Sequence, residues 1–114
     1  MTDCLFCSIV SGAIPADVVL RTDEVVAFRD INPAAPVHVL VIPVEHHATA
    51  AELGAANPVA AAAVLAAAGE VAALEGIAES GYRMVFNSGA GAGQTVFHAH
   101  VHVMGGRDLT WPPG

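Results

Sequence analysis

The sequence predicts an α+β domain: five antiparallel strands carrying one long helix, with a short helix at the N-terminus. Three observations lead there. Four runs rich in β-branched residues, at 18–22, 25–30, 37–42 and 82–87, are separated by turn-forming links or by the helical segment, and each has a strand's length and composition. A fifth run, 97–104, alternates His98, His100 and His102 with Ala99, Val101 and Val103, and a period of two sends successive side chains to opposite faces of a strand. Between the third and fourth runs lies an alanine-rich segment opening at Asn57-Pro58, a cap followed by proline at the first helical position. A chain of 114 residues has room for one core, so residues 1–114 form a single domain.

Taken in order, Asp3 can cap a short helix through Cys4-Leu-Phe-Cys-Ser-Ile-Val, which Ser11-Gly12 stops. Cys4 and Cys7, three apart, then share a helical face. A lone Cys-x-x-Cys is compatible with a redox pair, half of a zinc site or two buried small residues, and a thioredoxin-type pair needs a preceding strand that this chain lacks. Ile14-Pro-Ala-Asp17 is a turn into a hairpin linked at Asp23-Glu24, and a loop over 30–36 leads to the third strand, closed by Pro43. His38 stands within that apolar strand, where a lone histidine is more often a core residue than a catalyst. Thr49-Ala-Ala-Glu52 is a capping box for a short helical turn. The long helix runs from 58 to 74 or 78, with Val59, Val64, Leu65, Val71, Leu74 and Ile77 as its larger apolar surface. Two such helices packed across a symmetry axis would make a dimer.

Composition excludes several functions. A net charge of −7 and only four cations, all arginine, argue against a sequence-independent nucleic-acid binder, and the absence of lysine removes a P-loop or a Schiff base. The apolar content of 54% is largely alanine, and the run 58–74, interrupted by Gly69 and Glu70, is too weakly apolar for a membrane span. Met1-Thr-Asp-Cys has neither the basic nor the apolar part of a secretion signal, so the expectation is a soluble cytoplasmic protein.

The chemistry concentrates between Asn87 and Met104. Three of the six histidines fall on one face of the fifth strand, with Phe97, Ala99, Val101 and Val103 directed into a core on the other. Such a triplet is compatible with ordinary structural histidines, with a metal site, or with covalent catalysis in which one imidazole attacks and its neighbours handle protons. The loop ahead of it, Gly89-Ala-Gly-Ala-Gly93, lets backbone N–H groups approach an anion, and Asn87, Gln94 and Thr95 add neutral donors. Oriented neutral donors beside a histidine that is substantially neutral at pH 7 suit phosphoryl chemistry.

The stretch Asn87-x-Gly-x-x-x-Gly-Gln-Thr-Val-Phe-His-Ala-His-Val-His-Val-Met resembles the signature of the histidine-triad (HIT) superfamily. Gly105-Gly-Arg-Asp-Leu-Thr-Trp-Pro-Pro-Gly, Phe28-Arg-Asp-Ile-Asn-Pro and Ala-Pro-Val-His-Val-Leu-Val-Ile-Pro43 are similar to its Hint branch. The resemblance implies a HIT-like fold whose sheet continues across a homodimer, with the tail 105–114 near the partner's site. It implies hydrolysis of purine nucleoside 5′-phosphoramidates and aminoacyl-adenylate-like conjugates through a nucleotidyl-histidine intermediate, with purine nucleoside monophosphates bound and neither membrane nor specific nucleic acid involved. By position His100 is the nucleophile, aided by His102, Thr95 and the relay residue His38. Asn87, Gly93, Gln94, Thr95 and Val96 join His100 and His102 around the nucleotide's phosphate. Asp30 holds the ribose, and Phe28, Phe6 and Ile9 enclose the base. Cys4, Cys7, His46 and His98 are the implied ligands of a structural zinc, His46 being preferred to His47 by its spacing after Ile-Pro, and no catalytic metal is required.

In one respect the chain departs from the Hint pattern: Val44-Glu45 replaces lysines common after Ile-Pro, which weakens any preference for acidic leaving groups. Two other readings stay open from sequence. His98, His100 and His102 would jointly hold a catalytic zinc in a metallohydrolase, or the site would bind nucleotide without turnover.

Overall fold

The computed structural model describes residues 4–114. Asp3, the expected helix cap, lies outside the described residues. Helix α1 spans Leu5–Ser11, and its N-cap is Cys4, whose sulfur accepts from the Cys7 N–H; Gly12 closes it in the left-handed conformation at φ 85°. Strands β1 (Val18–Arg21), β2 (Val25–Arg29) and β3 (Val37–Pro43) follow. Helices α2 (Ala50–Ala56) and α3 (Pro58–Leu74) come next, then β4 (Tyr82–Val85), a single 3₁₀ turn at Ala90–Ala92 and β5 (Val101–Gly105). The five strands form one sheet in the order β1-β2-β3-β5-β4, every neighbouring pair antiparallel.

Period-two alternation divides the sheet into two faces. Val25 and Ala27 of β2, Val39 and Val41 of β3, and Val101 and Val103 of β5 pack with Val64, Ala68 and Val71 of α3 in the main core. Val26, Phe28, Leu40 and Ile42 lie on the opposite face and pack with Phe6 and Ile9 of α1 in a second, smaller cluster. His38, in step with Leu40, and His102, paired with Leu40 across the β3–β5 ladder, share that second face. One side of the sheet is therefore given to the core, and the other to α1 and the histidines.

Local signals explain the helices. Thr49 accepts from the Glu52 N–H, giving α2 two turns rather than the single turn expected. Asn57 ends α2 through its own N–H to the Leu53 carbonyl and starts α3 by accepting from the Ala60 N–H, with Pro58 in the first turn. α3 carries apolar residues on every side, with Glu70 its one charge, on the exposed side. Val64, Val71 and Ile77 are buried as expected, whereas Val59, Leu65 and Leu74 are 70%, 52% and 57% exposed. A Cβ at Gly105 would press on the Gly81 carbonyl at 3.1 Å and on Ile77 Cβ at 3.2 Å, so the close approach there suits glycine.

The fifth strand begins at Val101, four residues later than its alternation suggests. The Pro43 carbonyl, beyond the β3–β5 ladder, accepts from the His98 ring at 2.8 Å, and the Ala99 N–H turns to the His47 carbonyl at 2.6 Å. Residues 97–100 thus exchange ladder partners for side-chain and loop partners, and Phe97, expected in the core, is 48% exposed. Ala99 keeps its expected place in the main core. Strand β4 likewise stops at Val85, two residues short of Asn87.

Candidate functional site

His100 is buried at the floor of a cavity of about 310 Å³ on the α1 side of the sheet. Its Nδ1–H donates to the His98 carbonyl at 2.8 Å, which fixes the proton on Nδ1 and leaves the Nε2 lone pair available. Phe6 packs its ring edgewise on His100 at 5.0 Å and on Phe28 at 5.4 Å, forming an apolar wall. Ile9, Leu40 and Val96 extend that wall, while Asp30, Thr95 and His102 supply polar groups to the same cavity. Its composition, mostly apolar with a few convergent polar groups, is that of a small-molecule site.

Behind His102 stands a chain of hydrogen-bonded groups. The Ala34 N–H donates to His38 Nδ1 at 2.9 Å, so His38 carries its proton on Nε2. That nitrogen faces His102 Nδ1 at 2.9 Å and the Asp30 carboxylate at 3.4 Å. His102 therefore accepts on Nδ1 and carries its own hydrogen on Nε2, with its ring 5.0 Å from that of His100. Burial, then the neighbouring His100 and His38, press His102 down to about 4, and Asp30 only partly offsets them. His102 is thus a neutral donor near pH 7.

The third histidine of the triplet faces elsewhere. His98 is fully buried; its Nε2–H donates to the Pro43 carbonyl, and its Nδ1 lone pair joins Cys4, Cys7 and His46. Its Nδ1 lies 3.4 Å from Cys4 Sγ, 3.5 Å from Cys7 Sγ and 3.1 Å from His46 Nδ1, and Cys7 Sγ lies 3.3 Å from His46 Nδ1. A tetrahedral zinc with bonds of about 2.3 Å to sulfur and about 2.05 Å to nitrogen has edges of about 3.6 Å and about 3.3 Å. The four donors fit that tetrahedron in number, chemistry and spacing. Burial, then the hydrogen bond with Cys4 and its charge, push the Cys7 thiol up to about 11, the strain of two thiols that a shared cation would relieve. Burial also lowers His98, with His46, His100 and His47 adding to it and the Pro43 bond opposing.

The triplet therefore does not converge on a common point. Of the two groups of candidate metal ligands among the described residues, one takes His98, the other takes His102 with Asp30 and His38, and neither takes His100. His46, not His47, completes the cysteine group; His47 is paired instead with Glu45.

Among the residues expected around phosphate, Thr95 and Val96 line the cavity beside His100 and His102. Gln94 does not offer its amide to the cavity. Its Nε2 donates to the Ala48 and Val96 carbonyls at 2.7 and 3.1 Å, and its Oε1 accepts from the Gly89 N–H at 2.8 Å. A buried amide must satisfy itself within the protein, and Gln94 does so by bracing the loop. Gly93 takes φ 90° and closes the 3₁₀ turn, and neither it nor Asn87 is among the residues lining the cavity. Sequence reasoning passed over Leu40 and Ile14. Leu40 was legible, being two residues beyond His38 on the same strand face; Ile14 was read only as part of a turn.

Comparison with known proteins agrees with this geometry. The family model described as HIT domain matches residues 11–109. The chain is 46% identical over 112 residues to an uncharacterized HIT-like protein of Synechococcus elongatus, covering 98% of this chain and 97% of that one. It is 41% identical over 105 residues to the purine nucleoside phosphoramidase of Escherichia coli K12, covering 92% and 88%. Among solved structures, a HIT family hydrolase from Legionella pneumophila superposes with a TM-score of 0.94 at 48% identity, covering 98% of this chain and all of that one, 100%.

Proposed function

The chain belongs to the HIT domain family, and on that premise we propose that it hydrolyses purine nucleoside 5′-phosphoramidates and aminoacyl-adenylate-like conjugates to a nucleoside monophosphate. The observation that carries this reading is the bond from His100 Nδ1–H to the His98 carbonyl, which leaves a nucleophilic lone pair facing the cavity. The phosphoramidase at 41% identity supports the substrate class.

In the first step His100 Nε2 attacks the α-phosphorus and the phosphorus–amine bond breaks. An amine leaves poorly as an anion, and a positioned acid is worth about 10²–10⁴-fold. The His102 Nε2–H is aimed to give that proton, and the anionic phosphate bound beside it favours the protonated form of the His38–His102 pair, so the pair returns to neutral once the amine has left. Thr95 and backbone N–H groups near it take the phosphoryl oxygens, Asp30 the ribose hydroxyls, and Phe6, Ile9 and Phe28 the base. In the second step water attacks phosphorus, the phosphorus–His100 bond breaks, and the water's proton returns to the histidine pair. The sum is conjugate plus water giving nucleoside monophosphate plus amine, or carboxylic acid for an acyl conjugate.

Cys4, Cys7, His46 and His98 would hold a zinc whose contribution is to fasten α1 to residues 98–100, away from the phosphate. Thiolate ligands suit a reducing, cytoplasmic compartment, and among the described residues no helix is long and apolar enough to cross a membrane. The exposed side of α3, which carries Val59, Leu65 and Leu74 with Glu70 as its one charge, supports a homodimer, since exposed apolar residues on a helix with apolar residues on every side are ordinarily covered. Trp111, 82% exposed, supports a tail that reaches the partner subunit.

Intact-mass spectrometry after rapid acid quench with an adenosine phosphoramidate tests the chemistry. The wild type should carry a nucleotidyl adduct and His100→Ala should not. Turnover retained by His100→Ala would refute the assignment of the nucleophile.

A further inference from the structure

We propose, resting on the reading of the His100 cavity as a nucleotide site given above, that Asp17 reads the outer edge of the base and makes the chain select guanine conjugates over adenine ones.

The register of the sheet sets where each part of a nucleotide falls. His102 on β5 stands opposite Leu40 on β3, Leu40 opposite Phe28 on β2, and Phe28 opposite Val18 on β1. Neighbouring strands lie about 4.8 Å apart, so this row runs about 10 Å from His102 to Phe28 and about 14 Å to the edge strand. A nucleotide laid along it, with its phosphorus beside the histidines and its base against Phe6 and Phe28, points the outer edge of the base at the start of β1. Asp17 lies there, next to Val18, and lines the same cavity as His100. The aromatic wall takes any purine, because every base has a π-face. Discrimination between purines therefore falls to the polar groups at the far end of the row.

Asp17 is tethered at both its backbone and its side chain. The Arg29 N–H donates to the Asp17 carbonyl at 3.0 Å, and Arg29 Nη1 donates to Asp17 Oδ2 at 3.1 Å. Arg29 is itself clamped on Glu75 at the end of α3, Nε to Oε1 at 3.0 Å and Nη2 to Oε2 at 2.8 Å, a two-pronged pair of defined geometry. All three guanidinium nitrogens are thus directed at carboxylates, which leaves the reading of the base to Asp17. Its Oδ1 has no partner among the described residues, and Oδ2 keeps a lone pair beyond the one that Arg29 takes. Asp30, the other carboxylate of the cavity, faces the histidines instead, with His38 Nε2 at 3.4 Å and the Asn32 N–H at 2.9 Å. A carboxylate only accepts. The outer edge of guanine offers it two adjacent donors, N1–H and the 2-amino group, whereas adenine offers the 6-amino group beside an N1 lone pair that a carboxylate repels.

Titration calorimetry of the full chain with guanosine, inosine and adenosine 5′-monophosphates tests the proposal without requiring turnover. The guanosine nucleotide should bind about tenfold more tightly than the adenosine one, the worth of a charge-assisted hydrogen bond at a partly exposed site. The inosine nucleotide, which keeps N1–H and lacks the 2-amino group, should fall between them. Asp17→Asn replaces one acceptor by a donor and should bring the guanosine-to-adenosine ratio to about one or below. General loosening of the cavity weakens all three ligands together and leaves that ratio alone, so a ratio maintained in Asp17→Asn overturns the proposal. A wild type that binds the guanosine and adenosine nucleotides within about twofold of each other also overturns it. The same ordering should appear in kcat/KM for guanosine and adenosine phosphoramidates. Preferential, Asp17-dependent binding of the guanosine nucleotide by a chain that hydrolyses neither phosphoramidate would refute the phosphoramidase reading and leave the base assignment standing. Hydrolysis of both at equal kcat/KM would do the reverse, and failure to bind any of the three nucleotides would overturn both.

Discussion

Two histidine clusters lie on the same side of the sheet, and they are wired in opposite senses. In the cysteine cluster the outer nitrogen of His98 donates to a carbonyl, that of Pro43, so a lone pair points inward. In the Asp30, His38, His102 cluster the outer nitrogen of His38 accepts from an amide, that of Ala34, so a proton points inward. Four ligand-type atoms converge in the first and three in the second, and in the second a ring proton already lies between His38 and His102. The second holds a proton between its two rings. What separates the two clusters is the single backbone group behind each imidazole, an acceptor in one case and a donor in the other.

The strongest way to break that contrast is to ask which cluster takes zinc. At free zinc about a thousand times Kd, ligand linkage stabilises the native state by about 4 kcal/mol, which for a domain of this size raises Tm by more than about 15 °C. Calorimetry should show that rise in the wild type and in Asp30→Asn, with one zinc bound per chain, and not in Cys7→Ala. A rise that survives Cys7→Ala but vanishes in Asp30→Asn would mean the second cluster is the metal site. Next in size, His38→Phe removes the inward proton without touching the cavity wall. We expect a loss of about 10²-fold in turnover number, the lower end for a positioned acid, with zinc content unchanged. A loss below threefold in steady-state assays would leave His102 without need of a partner.

Much of this was readable from the chain, and the parts that were not share a cause. The hairpin and third strand follow from β-branched runs, because burying alternate side chains demands that spacing, and the Thr49 and Asn57 caps follow from side-chain oxygens at helix starts. Residues 97–100 keep the same alternation but leave the ladder. Alternation reports where side chains point and says nothing about which carbonyl a backbone N–H will find. Gln94 is a second case: its donors are visible in the sequence, but the partners they take, the Ala48 and Val96 carbonyls, are set by backbone geometry. The tautomers of His38, His98 and His100 are likewise set by backbone groups of Ala34, Pro43 and His98, which no residue identity announces. The choice of His46 over His47 came from resemblance alone.

The second cluster also has a pH signature. His102 is held near 4 in the folded chain, against about 6.5 when unfolded. With the folded value the lower, the unfolded state binds the proton first, so the stabilisation is whole above about 6.5 and is lost as pH falls toward 4. Urea midpoints of wild type and His102→Asn, taken at pH 7.5 and pH 4.5, isolate this term from protonation elsewhere. The wild type should lose more between the two pH values than the variant does, and equal losses would mean that His102 is not pressed down.

The smallest effect expected is the most local probe of the wiring. His47 adjoins the candidate ligand His46 and is itself of a ligand type, but its ring is paired with Glu45 and its carbonyl holds Ala99. His47→Gln keeps the carbonyl and removes the ring. Because the Glu45 pair is at the surface, stability should move by no more than about 0.5 kcal/mol, and zinc affinity by less than about twofold, against the 10-fold to 100-fold typical of a lost second-layer partner. A loss in that larger range, measured by competition with a chromophoric chelator, would show that the His47 ring as well as its carbonyl supports the centre.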